Sequence, residues 1–394
     1  MTERLYYRDA YAGEFRAAVV ETAGQGLRVY LDRTAFYPAS GGQPCDLGWI
    51  DNVAVTEVAD EGERIAHVLA APLSAGEVAG RLDWVRRFDH MQQHTGQHLL
   101  SAALVELCQA RTVGFHLGQE ISTIDVDAAS LDARQVAAVE RRVNELVFEN
   151  RPVAVSFEDA AAAAGLRKAS EREGELRIVS IRDYDRSACG GTHVRATGEI
   201  GPVLVRKLEK IRGNLRLEFL CGGRAVRRAR ADFEALSRIA HAHAAALDEA
   251  PKLVAAAIER LSDAGKALRK MAAELALIRG RELCAATAPD PSGVRRHFRR
   301  LAAGALDDEL RALAQGFTAG EKAVFVAVSE DSCAVMLAAS KDAGVNAGAV
   351  LKQAVAAQGG RGGGSPAAAQ GSVPDAAALA RVVGGFRAAG LIAG

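Results

Sequence analysis

Two short segments of this chain, far apart in sequence, are most useful as neighbours. His94 and His98 stand four residues apart in Asp89-His90-Met91-Gln92-Gln93-His94-Thr95-Gly96-Gln97-His98-Leu99-Leu100. On a helix this spacing puts both imidazoles on one face, a turn apart, where two nitrogens can meet one ion. Two helical histidines alone are more often a chance pair or a satisfied polar contact. Cys189-Gly190-Gly191-Thr192-His193 follows nearly a hundred residues later and completes a set of three imidazoles and one thiolate. That is a tetrahedral zinc donor set. Gly190 and Gly191 disfavour helix and suit a tight loop that turns two ligands toward one point. The sequence therefore predicts one Zn2+ per chain, held by His94, His98, Cys189 and His193, and a fold that brings the two segments together.

Around this pair the chain reads as an α+β protein. Residues 1–85 are short alternating segments ("GLRVYLDRTAFY", "ERIAHVLA") broken by Gly41-Gly42 and Pro44, the pattern of a small β-barrel. Residues 86–222 form an α+β core. Its first helix runs from about Phe88 to Gln109, with Asp89 as N-cap, and carries the histidines. A second amphipathic helix follows Ser130, with Val136, Val139, Val143, Leu146 and Val147 at helical spacing. "PVAVSF", "LRIVSI", "VLVRKLEKI" and "LRLEFL" read as strands. From 223 to 289 the composition turns Ala-, Leu-, Glu- and Arg-rich, interrupted near Asp248 to Pro251, which predicts a coiled-coil-like helical hairpin. Residues 290–394 alternate strand and helix patterns, a small α/β domain. Its segment Gly359-Gly360-Arg361-Gly362-Gly363-Gly364-Ser365-Pro366 suits either a flexible linker or a backbone anion-binding loop between helices.

With 49% hydrophobic and 25% charged residues, the 394-residue chain has the balance of a soluble protein with several cores. No run of about 18 uncharged apolar residues predicts a membrane span. The first residues carry no secretory pattern, and six scattered cysteines suit a reducing cytosol, so a cytoplasmic location is expected. Basic and acidic residues balance at 49 each. A nucleic-acid partner must then meet local patches: Arg206, Lys207, Lys210, Arg212 and Arg216; Arg224 to Arg230; Arg295, Arg296, Arg299 and Arg300. A solvated charged face is the plain alternative for each.

The segments "DHMQQHTGQHLL" and "CGGTHV" resemble the paired zinc motifs of the editing domain of alanyl-tRNA synthetase and its free-standing relatives. "TAFYPASGGQP" and "TVGFHLGQEISTIDVD" agree in the same order over residues 1–222. The glycine-rich segment is similar to that of the synthetase's C-terminal tRNA-binding domain, with Ser365 where a basic residue is usual. The resemblance implies a hydrolase that removes the wrong amino acid, serine or glycine, from mischarged tRNA(Ala). A pocket made for alanine rejects neither amino acid strongly, so a second site must clear the errors. The resemblance makes Thr34, Gly41, Gly42 and Gln43 a wall of the substrate pocket, with Thr34 reading the serine hydroxyl. Gln97, His116 and Thr192 become candidates for catalytic positioning. Cys45 departs from the small residue common at its place. Only about 85 residues precede the zinc helix, which excludes a synthetase's ATP-using domain there and suggests an editor acting in trans, with a homodimer through the C-terminal half as a further expectation.

Four protein ligands would normally close a structural site, whereas catalytic zinc keeps a position open. The sequence leaves two rivals standing: a non-catalytic tRNA-binding protein with a structural zinc, and an editor of another tRNA such as that of a threonyl system.

Overall fold

The computed structural model describes residues 1–168 and 173–392. It divides into two compact units, Met1–Ile239 and Ala240–Gly394.

The first unit begins with a closed barrel. Its strands are β1 (Glu14–Ala23), β2 (Arg28–Leu31), β3 (Gly48–Ile50), β4 (Val53–Asp60), β5 (Ile65–Leu69) and β6 (Glu77–Leu82). They close in the order β1-β2-β5-β4-β3-β6. Inward positions such as Val29, Leu31, Ile50, Val58 and Ile65 are fully buried, so the barrel is filled with side chains. The alternation in the sequence is this inside–outside pattern: along β6, Val78, Gly80 and Leu82 face in and their neighbours face out.

Helix α1 (Trp84–Cys108) follows the barrel directly. It starts four residues before the expected Phe88. Its N-cap is Asp83, whose side chain accepts from the Arg86 N–H at 3.1 Å. Asp83 leaves β6 in an extended conformation and so presents its carboxylate to the first turn, which Asp89 inside the helix cannot do. Gln109, in the left-handed region at φ 53°, ends the helix.

Strands β7 (Arg111–Leu117) and β8 (Ser122–Asp127) come next, then α2 (Ala133–Phe148) with a capping box of Asp132 and Gln135. Val139, Val143, Leu146 and Val147 of α2 are buried, on the face that the sequence spacing marked. A three-stranded antiparallel sheet joins β9 (Val153–Asp159), β10 (Glu175–Ile181) and β11 (Asp185–Ala188). Strands β12 (Val203–Ile211) and β13 (Asn214–Cys221) complete a four-stranded sheet ordered β12-β13-β8-β7. One core takes in Leu99, Leu100 and Leu104 of α1, Val139, Val143 and Leu146 of α2, and Ile124, Leu217 and Phe219 of the sheet. Helix α3 (Gly222–Ala242) starts where β13 ends.

In the second unit α4 (Ala250–Ala286) packs on α5 (Asp308–Thr318) at glycine contacts. A Cβ on Gly280 would stand 2.1 Å from the Leu313 carbonyl oxygen, and one on Gly316 would stand 2.0 Å from that of Leu277. The five-stranded sheet comprises β14 (Arg295–Leu301), β15 (Ala323–Ser329), β16 (Ala334–Ala339), β17 (Arg361–Gly364) and β18 (Ala368–Ser372), ordered β14-β15-β16-β18-β17. Every residue of β15 and β16 is buried because both faces are covered. Val324, Val326 and Val328 meet α6 (Ala347–Ala356) and α7 (Ala376–Ala388), while Phe325 and Ala327 meet the α4–α5 side.

The glycine-rich segment is thus an edge strand, neither a linker nor a loop between helices. Glycine is needed there because α6 lies against the strand: a Cβ on Gly362 would come within 2.8 Å of Leu351 Cδ2. Ser365 closes the following turn, its Oγ accepting from the Ala368 N–H at 3.2 Å.

Candidate metal centre

Between His90 and Leu104 the interior helix α1 buries Gln93, His94, Thr95, Gln97, His98 and Ser101 along with its leucines. Polar groups out of water need partners, and tracing them defines the site. The Nε2 atoms of His94 and His193 lie 3.4 Å and 3.3 Å from Cys189 Sγ. One ligand atom from each of His94, His98, Cys189 and His193 lies within 4.8 Å of all the others. A tetrahedral ion with bonds of about 2.0 Å to nitrogen and about 2.3 Å to sulfur sets its ligand atoms roughly 3.3–3.6 Å apart. The loop that carries Cys189 and His193 leaves β11, and the approach is close enough that a Cβ on Gly191 would overlap His94 Cε1 at 2.2 Å. Gly191 is therefore fixed by packing rather than by backbone conformation.

Each imidazole is anchored through Nδ1 by a different partner. His94 meets Gln43 Oε1 at 2.8 Å. The amide of Gln43 is oriented by Thr192, which accepts from its Nε2 at 2.8 Å and donates its own N–H to Oε1 at 3.2 Å. His98 meets Asp185 Oδ2 at 3.2 Å, and Asp185 also accepts from Arg167 Nε and Ser187 Oγ at 2.7 Å and 3.0 Å. His193 faces Thr95 Oγ1 at 3.2 Å. That hydroxyl gives its proton to the Met91 carbonyl at 2.8 Å, so toward His193 it can only accept. All three rings therefore carry hydrogen on Nδ1 and turn the Nε2 lone pair to the common point, the arrangement metal-binding histidines require. This donor set fits a zinc-like cation.

The electrostatics at Cys189 and His193 agree. Burial alone would raise the Cys189 thiol, but the imidazoles of His94 and His193 outweigh it and hold the thiol well below its usual range. Burial pushes His193 down to about 3, which leaves its lone pair free. At His98 burial acts downward too, and the Asp185 carboxylate overrides it, raising the imidazole.

The other expected residues are placed as follows. Gly41 and Gly42 form an exposed turn at φ 58° and 84°, pinned to β7 where Leu117 N–H donates to the Gly42 carbonyl at 3.0 Å. Gln43 meets His94, and Thr192 meets Gln43, as described. Gln97 is buried on α1 and donates to Ser101 Oγ at 2.7 Å. His116 is exposed on β7, next to Phe115, whose ring lies 5.2 Å from that of His94. Thr34 is fully buried, with Oγ1 2.8 Å from His67 Nε2 and 3.1 Å from the Phe36 N–H. Cys45 is half-buried against the barrel core. Among the described residues, Thr34, Gln97 and His116 make no hydrogen bond to the four clustered residues.

The partners Asp185 and Thr95 escaped the sequence reading. Asp185 stands four residues before Cys189, and a carboxylate beside a metal motif was the available signal. Thr95 gave none, since its role depends on a residue 98 positions away.

Much of the positive charge read as nucleic-acid patches is paired within the fold. Arg224 is buried and donates through Nε and Nη2 to Asp89, and through Nη1 to the Gly118 carbonyl at 2.8 Å. Arg206 and Arg228 share Asp232, Arg216 pairs with Asp125, Lys207 with Glu209, Arg296 with Asp290, and Arg300 with Glu330. Among the described residues, Lys210, Arg212, Arg227, Arg230, Arg295 and Arg299 form no salt bridge.

Comparison with known proteins places this architecture. Residues 176–217 match the threonyl and alanyl tRNA synthetase second additional domain, and residues 302–387 match the DHHA1 domain. The class is therefore one that joins a synthetase-type additional domain to a DHHA1 domain. The relatives the chain resembles are alanyl-tRNA editing proteins and alanine–tRNA ligases. It is 37% identical over 242 residues to the alanyl-tRNA editing protein Aarsd1 of Bos taurus, covering 56% of this chain and 54% of that protein. It is 36% identical over 241 residues to the alanyl-tRNA editing protein AlaX-L of Pyrococcus horikoshii, covering 57% and 59%. It is 31% identical over 398 residues to the alanine–tRNA ligase of Pyrococcus abyssi, covering 95% of this chain and 42% of the ligase. The chain thus spans about half the length of the curated relatives it matches. A solved structure of the C-Ala domain from Aquifex aeolicus alanyl-tRNA synthetase matches 27% of this chain and 96% of that one, at 22% identity and a TM-score of 0.22.

Proposed function

We propose that this protein is a zinc-dependent aminoacyl-tRNA hydrolase that edits in trans, cleaving the ester of Ser-tRNA(Ala) and Gly-tRNA(Ala). The observation that carries the reading is the convergence of three Nε2 lone pairs and the Cys189 sulfur in a chain related to proteins named as alanyl-tRNA editors. Zinc bound there would polarise the ester carbonyl, hold the tRNA 3′ end, or lower the pKa of a water. This chain's residues do the rest. Gln43 and Thr192 hold His94 in register, Asp185 holds His98, and the Gly41-Gly42 turn forms a wall of the pocket. His116 and Gln97 remain candidates for positioning the substrate, the former at the surface beside Phe115.

The assignment of Thr34 gains a direction. His67 Nδ1 lies 3.2 Å from the Val29 carbonyl and must donate to it. Its Nε2 therefore accepts, and the Thr34 hydroxyl donates to it. Thr34 Oγ1 accepts from the Phe36 N–H and keeps one lone pair. A serine hydroxyl would have to donate to that lone pair, and alanine has nothing to offer it.

The partner is mischarged tRNA(Ala), with a cytoplasmic site of action. No described helix is long and apolar enough to cross a membrane. The second unit, with its DHHA1 match, supplies tRNA contacts beyond the 3′ end. On α4, Leu261, Leu268 and Leu275 recur every seven residues and are 76%, 66% and 47% exposed. Such a stripe needs a helix against it, which a second copy in a homodimer would supply. The deciding experiment is hydrolysis of Ser-tRNA(Ala), Ala-tRNA(Ala) and Thr-tRNA(Thr) by purified protein. Release of serine alone supports the proposal, release of none supports a non-catalytic tRNA-binding protein, and loss of an amino acid from tRNA(Thr) supports the threonyl reading.

A further inference from the structure

Arg177, on β10, is 9% exposed, and its guanidinium meets no carboxylate among the described residues. A nearly buried cation normally has an acidic partner, and this one spends its donors on backbone carbonyls instead. Nη1 donates to the Cys189 carbonyl at 2.6 Å, and Nε donates to the Tyr7 carbonyl at 3.0 Å. The Arg177 carbonyl in turn accepts from the Cys189 N–H at 3.0 Å. That last bond continues the β10–β11 ladder, whose final pair is Ile178 with Ala188. One residue therefore holds Cys189 on both sides, main chain to N–H and side chain to C=O. With the peptide groups on both sides of Cys189 held, χ1 is the rotation that aims the sulfur.

We propose that Arg177 is a positioning residue for the metal ligand Cys189. It sets the direction from which Sγ reaches the metal and ties the N-terminal segment, through Tyr7, to the ligand loop. The planar fork is what the geometry needs, because Nη1 and Nε must reach two carbonyls from different segments at once. Its guanidinium carbon lies 5.6 Å from the centroid of the Tyr7 ring, and its bonds go to carbonyl oxygens rather than to the sulfur.

This inference rests on the metal reading above and is tested on the full-length protein, freed of metal and titrated with Co2+. Thiolate-to-cobalt absorption and the ligand-field bands report the Cys189 bond directly. Four proteins are compared: the parent, Arg177→Met, Arg177→Lys and, as a control for losing a buried arginine, Arg224→Met. The parent should take up one Co2+ with tetrahedral bands. Arg177→Met should bind at least about tenfold more weakly with a shifted or diminished thiolate band, the scale seen when partners of metal ligands are removed. Arg177→Lys, with charge but no fork, should fall between, and Arg224→Met should keep the parent spectrum. A folded Arg177→Met with parental affinity and spectrum overturns the proposal. If that variant does not fold, a parental result for Arg177→Lys overturns it. A parent that takes up no cobalt sinks the metal reading and this inference together, whereas unchanged variants beside a cobalt-binding parent sink the clamp alone.

Discussion

The guanidinium of Arg87 on α1 and the carboxylate of Asp46 from the barrel face each other with side chains 0% and 1% exposed. Arg87 Nε lies 3.1 Å and 3.0 Å from the two carboxylate oxygens. The pair is embedded in further bonds: Arg87 Nη1 donates to the Ala10 carbonyl at 2.7 Å, and Asp46 Oδ2 accepts from the Tyr37 N–H at 2.7 Å. It bolts the start of the histidine helix to the segment that carries the Gly41-Gly42 turn. Removing one partner strands a buried charge, so Arg87→Leu should lower stability by about 3–5 kcal/mol. Chemical denaturation measures the loss, and the double variant Arg87→Leu/Asp46→Leu should recover part of it. A single variant as stable as the parent would show that the pair is not what holds the two segments.

Purified protein should carry one zinc through His94, His98, Cys189 and His193. Cys189→Ala should lose it or hold it weakly, since a soft, charged ligand disappears. Gln43→Leu should keep all four ligands but release the His94 ring, lowering affinity about 10–100-fold. Metal analysis after dialysis against a chelator ranks the three proteins, and full occupancy in Cys189→Ala would remove that residue from the site.

Thr34→Val keeps the shape and deletes the oxygen that we assign to the serine hydroxyl. It also leaves His67 Nε2 without its donor, so some loss of stability, about 1–3 kcal/mol, should accompany it. The informative readout is the ratio of Ser-tRNA(Ala) to Ala-tRNA(Ala) hydrolysis, which should fall. An unchanged ratio assigns the serine hydroxyl to another residue.

Burial pushes His67 down to about 4 from an ordinary value near 6.5. In the folded barrel it stays neutral, while the unfolded chain takes up a proton below about 6.5, so stability falls with acid between these two values. Above pH 6.5 the contribution is constant, and the fall amounts to about 3 kcal/mol at most. His67→Gln should flatten the stability profile between pH 6.5 and 4 by about one proton's worth of slope. A profile parallel to the parent's would show that His67 is not the buried group responsible.

A chain cut after Ile239 should keep its metal and its ester-cleaving chemistry on saturating substrate, and lose tRNA affinity together with most of its salt dependence. Gly223 is the wrong place to cut, because Arg224 just beyond it holds Asp89 of α1 and the Gly118 carbonyl. If the second unit serves only to dimerise the protein, the shortened chain will be a monomer that binds tRNA as before. Solution mass and tRNA affinity at two salt concentrations, on one preparation, separate the outcomes. In the full-length chain Leu268→Glu, on the exposed α4 stripe, should halve the mass only if a second copy covers that stripe.

The four clustered residues and their spacing were legible in the sequence because they are local: a helical i, i+4 pair and a Cys-x-x-x-His turn need no knowledge of what surrounds them. The same holds for the barrel strands, whose alternation is written residue by residue, and for α2, whose apolar stripe matches its buried face. Tertiary structure decided the questions that depend on a distant partner. Asp83 rather than Asp89 caps α1 because the strand before it ends in an extended conformation. The glycine-rich segment became a strand because α6 needed a surface without side chains. Many of the basic patches were neutralised by carboxylates on other elements, which no count of charges along the chain could pair. The orientation of each imidazole was fixed by Gln43, Asp185 and Thr95, drawn from the barrel, from β11 and from α1 itself. Sequence spacing chose the residue types, and three-dimensional hydrogen bonding chose which nitrogen of each ring faces the common point.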